Sequence, residues 1–313
     1  MIRCTAPLIG FALLTLLACG EDPAPTADLP TRDLPELTLV GAYDVIGPDN
    51  AQPSGLTWRG GRLYTVSDKH DDTVFRLSVR GDSALMVPEY RFTPPRAHMA
   101  GFLDYEGIVW GEDEAFYLVS ETHFRLVRMS VEDTSAAWFG PQLRTNGANI
   151  GLFTTGNAYL EAITVVDSSR ILVAAERQPR GLLRIDGRVD PPRIDAWKMD
   201  TTDLAMPDGV SPDFTGLTWR DGNLFVLERN GYAITRLDGP GPYATDGTWS
   251  FRESVYRPDL QYVDMTYGMA EGLAIDAEYI YIIVDNNGDP RRADPSNHRP
   301  LLLVFERPAD LVP

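Results

Sequence analysis

Apolar and polar positions follow one another in the same order five times along the 313-residue chain. Each copy opens with a small or acidic residue and a Gly or Ala, continues through an apolar run, a polar turn and a second apolar run, and closes on an acid. The copies are Ser54–Asp68, Glu106–Glu121, Glu161–Glu176, Thr215–Glu228 and Glu271–Asp285. Short runs rich in branched and aromatic residues, separated by turn residues, predict two β-strands in each copy.

The copies recur at a nearly constant spacing. Their opening residues are 52, 55, 54 and 56 positions apart, which leaves room for four strands and their turns. Repeats of this length that are rich in short strands are typical of propellers. We therefore predict an all-β fold, a single propeller of five blades with about four strands each, with six blades as the alternative.

An apolar segment at residues 37–46 precedes the first copy and belongs to none of them. We predict that it supplies the outer strand of the last blade, because this pairing leaves no open sheet edge.

Propeller geometry predicts that the two ends of each copy lie side by side. The first strand of a blade leaves one face of the ring and the second strand returns to it. The opening residues are Ser54, Glu106, Glu161, Thr215 and Glu271, and the closing residues are Asp68, Glu121, Glu176, Glu228 and Asp285. Eight carboxylates are therefore expected around one mouth of the central channel.

Eight like charges in a confined mouth would repel one another strongly at neutral pH. A bound cation, shared protons or basic neighbours can offset this repulsion, and Lys69, Arg177 and Arg229 follow closing acids closely. Calcium suits a mouth with oxygen ligands and no thiols. In the alternative interpretation, the acids only cap backbone N–H groups of the next blade and hold the blades together.

Two further motifs carry candidate chemistry. Ser67–His70 and Ser120–His123 share the pattern Ser-acid-x-His, so His70 and His123 are candidate general acids or bases, or else exposed loop residues. The polar segment 285–294 contains Asp285 and Asn287, which alternate as in a calcium loop but lack its distal Glu. Arg291 in the same segment is a candidate contact for an anionic substrate or for a nearby acid.

Charge and targeting signals narrow the class of protein. A net charge of −17 argues against nucleic-acid binding. Residues 1–18 are interpreted as a lipoprotein signal peptide, because Leu16–Cys19 resembles the bacterial lipobox; a plain secretory signal is the alternative. Cys19 would then carry the lipid, with residues 19–33 as a proline-rich tether and residues 34–313 as the propeller domain. Gly20 after the cysteine favours the outer membrane, on its periplasmic side or at the cell surface.

Several segments resemble the phytase-like propellers, described as having esterase-like activity of phytase, and the related SdiA-regulated lipoprotein propellers. The matching pieces are Asp104–Val109 with Val119–Thr122, Glu161–Ile163 with Ala175–Pro179, Val226–Arg229, and Ala270–Ile275 with Val284–Asn287. The resemblance implies an exported, calcium-associated propeller, and the family name suggests phosphoester hydrolysis. Ser54 and Thr215 depart from a full ring of glutamates.

These observations define the expected site. The candidate catalytic residues are Glu106, Glu161, Glu271, His70 and His123. The candidate calcium ligands are Glu106, Glu161, Glu271, Asp285 and Asn287. The candidate ligand-binding residues are Asp68, Glu121, Glu176, Arg177, Glu228, Arg229 and Arg291.

Three functions are compatible with such a site. The first is calcium-dependent hydrolysis of a small-molecule or phosphorylated ester, the second is non-catalytic binding of a ligand or partner, and the third is lactone hydrolysis as in gluconolactonase propellers. We expect a monomer that contacts the membrane only through the lipid on Cys19.

Overall fold

The computed structural model describes residues 33–95, 102–239, 241–266 and 269–312. Within these ranges the chain forms twenty strands and two short helices, α1 (Arg144–Ala148) and α2 (Arg252–Val255). Neither of these helices is long enough to cross a bilayer.

Twelve of the strands form three antiparallel four-stranded sheets, each in chain order. The first contains β6 (Tyr105–Trp110), β7 (Ala115–Ser120), β8 (Arg125–Ser130) and β9 (Ala136–Phe139). The second contains β10 (Leu160–Asp167), β11 (Arg170–Ala175), β12 (Gly181–Asp186) and β13 (Arg193–Lys198). The third contains β14 (Gly216–Arg220), β15 (Asn223–Glu228), β16 (Ala233–Asp238) and β17 (Ala244–Ser250).

The remaining eight strands form one continuous sheet built from two groups of four. One group is β2 (Pro53–Arg59), β3 (Arg62–Ser67), β4 (Thr73–Arg80) and β5 (Ser83–Arg91), and the other is β18 (Ala270–Ile275), β19 (Tyr279–Val284), β20 (Leu301–Glu306) and β1 (Leu39–Ile46). β1 pairs antiparallel with β20, as the sequence predicts for the apolar segment before the first copy. On its other side, β1 pairs in parallel with β5 and so joins the two groups.

The first strands of the five groups line up in a closed ring. β2 contacts β6 and β18, β10 contacts β6 and β14, and β14 contacts β18. The all-β prediction is confirmed, and the four-stranded sheets fit a propeller.

The small residue near the start of each first strand allows these strands to approach closely. A Cβ on Gly55 would lie 2.9 Å from the Cα of Gly107, and a Cβ on Gly107 would lie 2.9 Å from the carbonyl oxygen of Glu161. A Cβ on Gly272 would lie 2.5 Å from the carbonyl carbon of Gly55. The recurring Gly therefore reflects backbone packing around the mouth, where a side chain at Gly55, Gly107 or Gly272 would force the strands apart, whereas the third copy accommodates the methyl group of Ala162.

Five apolar clusters fill the spaces between neighbouring groups of strands. Leu172 of β11 and Val226 of β15, for example, belong to one cluster between two sheets. Such two-layer packing buries one face of each sheet against the next. The ring is thus held by apolar contacts, and the described residues contain no cysteine.

Candidate functional site

The predicted mouth is a cavity of about 420 Å³ at one end of the first strands. Seven of the eight predicted acids line it: Asp68, Glu106, Glu121, Glu161, Glu176, Glu271 and Asp285. Arg177, Arg229 and Asn287, also predicted as site residues, line the same cavity. The repeated sequence pattern therefore does converge on one place.

β-Bulges direct the opening acids into the cavity. Glu106, Glu161 and Glu271 each occupy the second position of a first strand. At each of them the pairing with the second strand shifts register. A bulged residue is left out of the ladder, so its side chain is re-aimed relative to its neighbours.

Backbone hydrogen bonds bring the closing acids beside these bulges. The N–H of Glu121 donates to the carbonyl oxygen of Asp104 at 3.0 Å. The N–H of Glu176 donates in the same way to Tyr159 at 2.8 Å, and that of Asp285 donates to Met269 at 2.9 Å. The acceptor lies two residues before the opening acid each time, which fixes the two ends of each copy next to one another.

Glu228 differs from the other closing acids because it does not line the cavity. It is the last residue of β15, whereas Asp68 and its counterparts come directly after their strands. Glu228 is buried and contacts Arg180 and the hydroxyl of Thr235, the latter at 2.6 Å. Successive side chains on a strand point to opposite faces, so a displacement of one residue removes Glu228 from the mouth.

Arg229 takes the closing position of the fourth copy. Its distance from Thr215 along the chain equals that of Asp68 from Ser54, namely 14 residues. An ungapped alignment of the first and fourth copies is the sequence signal that identifies this arginine. The fourth copy therefore brings a cation to the mouth where the other copies bring an acid.

The guanidinium of Arg229 joins three carboxylates. Nε donates to Oδ2 of Asp213 at 2.8 Å, Nη1 donates to Oε1 of Glu271 at 2.7 Å, and Nη2 donates to Oε1 of Glu176. Only 8% of Arg229 is exposed. Burial alone would lower the pKa of Arg229, but Glu271, Asp213 and Glu161 outweigh it and hold the pKa above its usual range.

Glu176 also pairs with Arg177, again through Oε1. Its second oxygen, Oε2, is buried and has no hydrogen-bond partner in the described part of the chain. Arg177 in turn donates to the carbonyl oxygen of Asn157 at 3.2 Å. The acid is therefore half satisfied, with one carboxylate oxygen available to a further ligand.

A second group of carboxylates lies away from the two arginines. One oxygen each of Asp68, Asp104 and Glu106 falls within 4.8 Å of the others. Lys69 forms an ion pair with Asp68. Burial raises the pKa of Asp68 and of Asp104, which is the effect expected for acids with too few positive partners.

Glu121 has both a capping and a cavity role. Its Oε1 accepts the backbone N–H of Tyr159, which precedes β10, at 2.9 Å, so it does cap the next group of strands. Burial, opposed by this bond and reinforced by the neighbouring Asp104 carboxyl, raises the pKa of Glu121 to about 7. The carboxyls of Glu121 and Asp104 also share a hydrogen bond. Through this one oxygen, Glu121 caps a backbone N–H of the next group of strands, as the alternative interpretation of the sequence expects.

The remaining acids also hold protons more tightly than usual. Burial, followed by neighbouring carboxylates, raises the pKa of Glu106 and of Glu161 well above the ordinary value. Burial raises the pKa of Glu271 to about 7 despite Arg229, and that of Asp285 to about 6. Several carboxyls in the mouth therefore exchange protons near neutral pH.

The two predicted histidines lie outside the residues that line the cavity. His70 contacts the carbonyl oxygen of Asp49 through Nε2 at 3.3 Å and the edge of the Phe75 ring. Nδ1 of His123 lies 3.1 Å from Oγ of Ser120, and burial lowers the pKa of His123. Neither ring lines the cavity, although His70 is near enough to Asp68 to favour the charged form of that acid.

Arg291 is also absent from the cavity lining. It is 2% exposed, its Nη2 donates to Oδ1 of Asp44 in β1 at 3.1 Å, and it lies 4.1 Å over the ring of Tyr262. Asn287, by contrast, lines the cavity and donates its N–H to Oδ1 of Asp285 at 3.0 Å. Arg291 thus fastens a loop to β1. Cys19 lies outside the described residues.

Sequence reasoning missed other polar residues of the site. Asp104 lies two residues before Glu106, and Asp213 lies two residues before Thr215, but the other three copies carry Gln52, Tyr159 and Met269 there, so no repeated column marks these acids. Asp264 and Asp289 line the cavity from irregular loops, where no repeat marks them. Asp213 does not line the cavity, but Asp104, Asp264 and Asp289 bring the number of lining carboxylates from seven to ten, beside three basic side chains.

A family model described as SdiA-regulated matches residues 44–287. The chain belongs to the SdiA-regulated family. This agrees with one part of the sequence resemblance, while the phytase-like assignment stays a prediction. No curated protein matches the chain.

Solved structures are similar to this SdiA-regulated protein at low sequence identity. A glutaminyl cyclase from Myxococcus xanthus is 13% identical, with 87% of this chain and 100% of that chain covered and a TM-score of 0.51. A putative gluconolactonase is 12% identical, with 87% and 94% covered and a TM-score of 0.47. An inactive virginiamycin B lyase from Staphylococcus aureus, with quinupristin, is 14% identical, with 82% and 67% covered and a TM-score of 0.43. These likenesses concern the fold alone.

Proposed function

We propose that this SdiA-regulated protein is a five-bladed propeller that binds calcium in the acidic cavity and hydrolyses a phosphate ester or a related ester there. The closed ring of five first strands supports the blade count. The observation that carries the function is the charge of the cavity, where ten carboxylates meet three basic side chains. Such a site repels an anionic substrate unless a cation offsets the charge.

The residues of the cavity fit calcium. Two groups of three acids, Asp68 with Asp104 and Glu106, and Glu121 with Glu161 and Glu176, place carboxylate oxygens within 4.8 Å of one another. Carboxylate oxygens are the ligands that calcium prefers. The partnerless Oε2 of Glu176 is a buried oxygen that a cation would satisfy.

Calcium, when bound, supplies charge that polarises an ester or phosphoryl oxygen. The side chains supply proton transfer, because a general acid or base works best when its pKa lies near the working pH. Glu121 and Glu271, both with a pKa of about 7, meet this condition within the cavity. The volume of about 420 Å³ suits a small molecule.

Hydrolysis assays with chromogenic phosphate esters, carboxylate esters and lactones test this function. We expect turnover of an ester in calcium that disappears in chelator. Glu106→Gln should abolish most of it, while Glu112→Gln, at an exposed acid outside this cavity, serves as the matched control. Turnover that survives both chelator and Glu106→Gln would refute the proposal.

A non-catalytic binding module is the second candidate. It is favoured by the position of His70 and His123 outside the cavity, which leaves the mouth without an imidazole among its described residues. Calcium binding by titration calorimetry with no turnover of any ester in the screen would support this candidate over the first.

We also propose that the protein is an exported monomeric lipoprotein of the outer membrane. The lipobox-like Leu16–Cys19 supports this assignment. Detergent-phase partitioning of the wild type, lost in Cys19→Ser, is the expected result, and soluble export of both forms would contradict it.

A further inference from the structure

Arg229 contacts carboxylates around the mouth in the way that a bound metal ion would. Its three guanidinium nitrogens each donate to a different carboxylate, with Nε to Asp213 at 2.8 Å and Nη1 to Glu271 at 2.7 Å. The third carboxylate is that of Glu176. Glu176 follows β11, Asp213 precedes β14 and Glu271 lies in β18, so three different groups of strands converge on one positive charge.

This pairing leaves Arg229 unsuited to bind a substrate. Its side chain is 10% exposed, and all three nitrogens already donate to carboxylates. A guanidinium stays protonated at every physiological pH, so its charge is permanent. Arg229 also stands at the closing position of its copy, where four other copies bring an acid.

We propose that Arg229 is a built-in cation that takes the place of a metal ion between Glu176, Asp213 and Glu271. The ion of the proposed function is then expected at Asp68, Asp104 and Glu106, the group of three close carboxylates that contains no partner of Arg229. This second part rests on the proposed function, whereas the first part does not.

The two halves of the mouth differ in how many positive groups offset their carboxylates. In the arginine half, three carboxylates face two guanidinium groups, because Arg177 also pairs with Glu176. In the other half, Asp68, Asp104 and Glu106 have one ammonium nearby, that of Lys69. Lys69 is 42% exposed, so solvent screens it far more than the arginines. The larger uncompensated charge therefore lies away from Arg229.

A second observation indicates that the arginine half retains the capacity to bind a metal. Oε2 of Glu176 is buried and lacks a partner among the described residues, although Glu176 is only 1% exposed. Without the guanidinium of Arg229, the carboxylates of Glu176, Asp213 and Glu271 would face one another with Arg177, which pairs with Glu176, as the remaining cation. Buried carboxylates without a positive partner cost free energy, so their arrangement favours the binding of a cation.

Removal of the guanidinium should therefore create a calcium site. We expect Arg229→Met to melt at a lower temperature than the wild type in chelator, and to recover with calcium by more than the wild type rises. Calorimetric titration should show one additional calcium ion per chain. Arg229→Lys keeps the charge and should bind no additional ion.

Arg236→Met is the matched control. Arg236 is also 8% exposed and donates from Nε to Oδ2 of Asp246 at 2.9 Å, but it lies outside the cavity. Its removal should lower the melting temperature without recovery in calcium. If Arg229→Met does not fold in chelator, calcium should restore its folding, and a variant that stays unfolded in calcium overturns the inference.

The outcomes separate this inference from the proposed function. A folded variant that gains no calcium ion, while the wild type binds one, overturns the built-in cation and leaves the proposed function standing. A wild type that binds no calcium, together with a variant that does, upholds the built-in cation and overturns the proposed function. Recovery of Arg236→Met to the same extent would also overturn the inference.

Discussion

Replacement of Glu121 by Gln should make the stability of the protein less dependent on pH. Glu121 is buried, and its Oε1 accepts the N–H of Tyr159 at 2.9 Å. Gln keeps that acceptor, and its amide N–H can replace the hydrogen bond that the protonated carboxyl shares with Asp104. The substitution therefore imitates the protonated acid and removes its ability to ionise.

The size of the effect follows from the pKa of Glu121. Burial raises this pKa from 4.5 to about 7 in the folded protein. Because the folded value is the higher one, the contribution to stability is complete below about pH 4.5 and is lost as the pH rises through about 7. At about 1.4 kcal/mol per pH unit, the wild type should lose up to about 3 kcal/mol that the Gln variant keeps. For a domain of this size, that difference corresponds to a melting temperature about 6–12 °C apart.

Urea unfolding followed by tryptophan fluorescence, from pH 5 to pH 8 in chelator, measures this difference. Glu121→Ala is the control, because it loses the bond to Tyr159 and should be about 1–3 kcal/mol less stable than the wild type even at pH 5. Parallel pH profiles for the wild type and Glu121→Gln would refute the reasoning, since they would show that Glu121 does not titrate in this range.

Gly272→Ala should cost about 1–3 kcal/mol in urea unfolding, because its Cβ would lie 2.5 Å from the carbonyl carbon of Gly55. Gly156→Ala, with nothing within 4 Å, is the comparison, and equal losses would contradict the close packing. Arg291→Met should lower stability by about 1–3 kcal/mol, because Asp44 loses one partner but keeps Asn297 and Arg299, and should leave calcium affinity unchanged in calorimetry. A weaker calcium affinity would return Arg291 to the ligand-binding residues. His123→Asn should leave any calcium-dependent hydrolysis within about 2-fold, whereas a loss of about 100-fold would place it in the reaction.

The positions of the strands and of most acids could be predicted because their signals are local. Apolar runs broken by turn residues predict the strands, and the Gly near the start of four of the five first strands reflects how closely these strands pack, as at Gly107. The acids follow from where each strand begins and ends, so Glu161 and Glu176 were placed correctly at the mouth.

The partners of the acids could not be predicted, because they come from distant parts of the chain. Arg229 and Glu176 are 53 residues apart, and only the closed ring brings them together. In the fourth copy, the residue at the mouth lies one position later than predicted, so it is Arg229 and not Glu228, and the position carries a positive charge instead of a negative one. Asp264, from an irregular loop, has no repeated counterpart in the sequence.

The pairing of β1 has a mechanical consequence. The strand has β20 on one side and β5 on the other, so its hydrogen bonds belong to two ladders at once. A force applied along the chain before Leu39 would act parallel to the strand and load both ladders in shear, so that many bonds must break together. Resistance to pulling is a matter of the unfolding rate. Tension applied at this end would therefore leave the ring closed at forces that peel away a strand paired on one side alone.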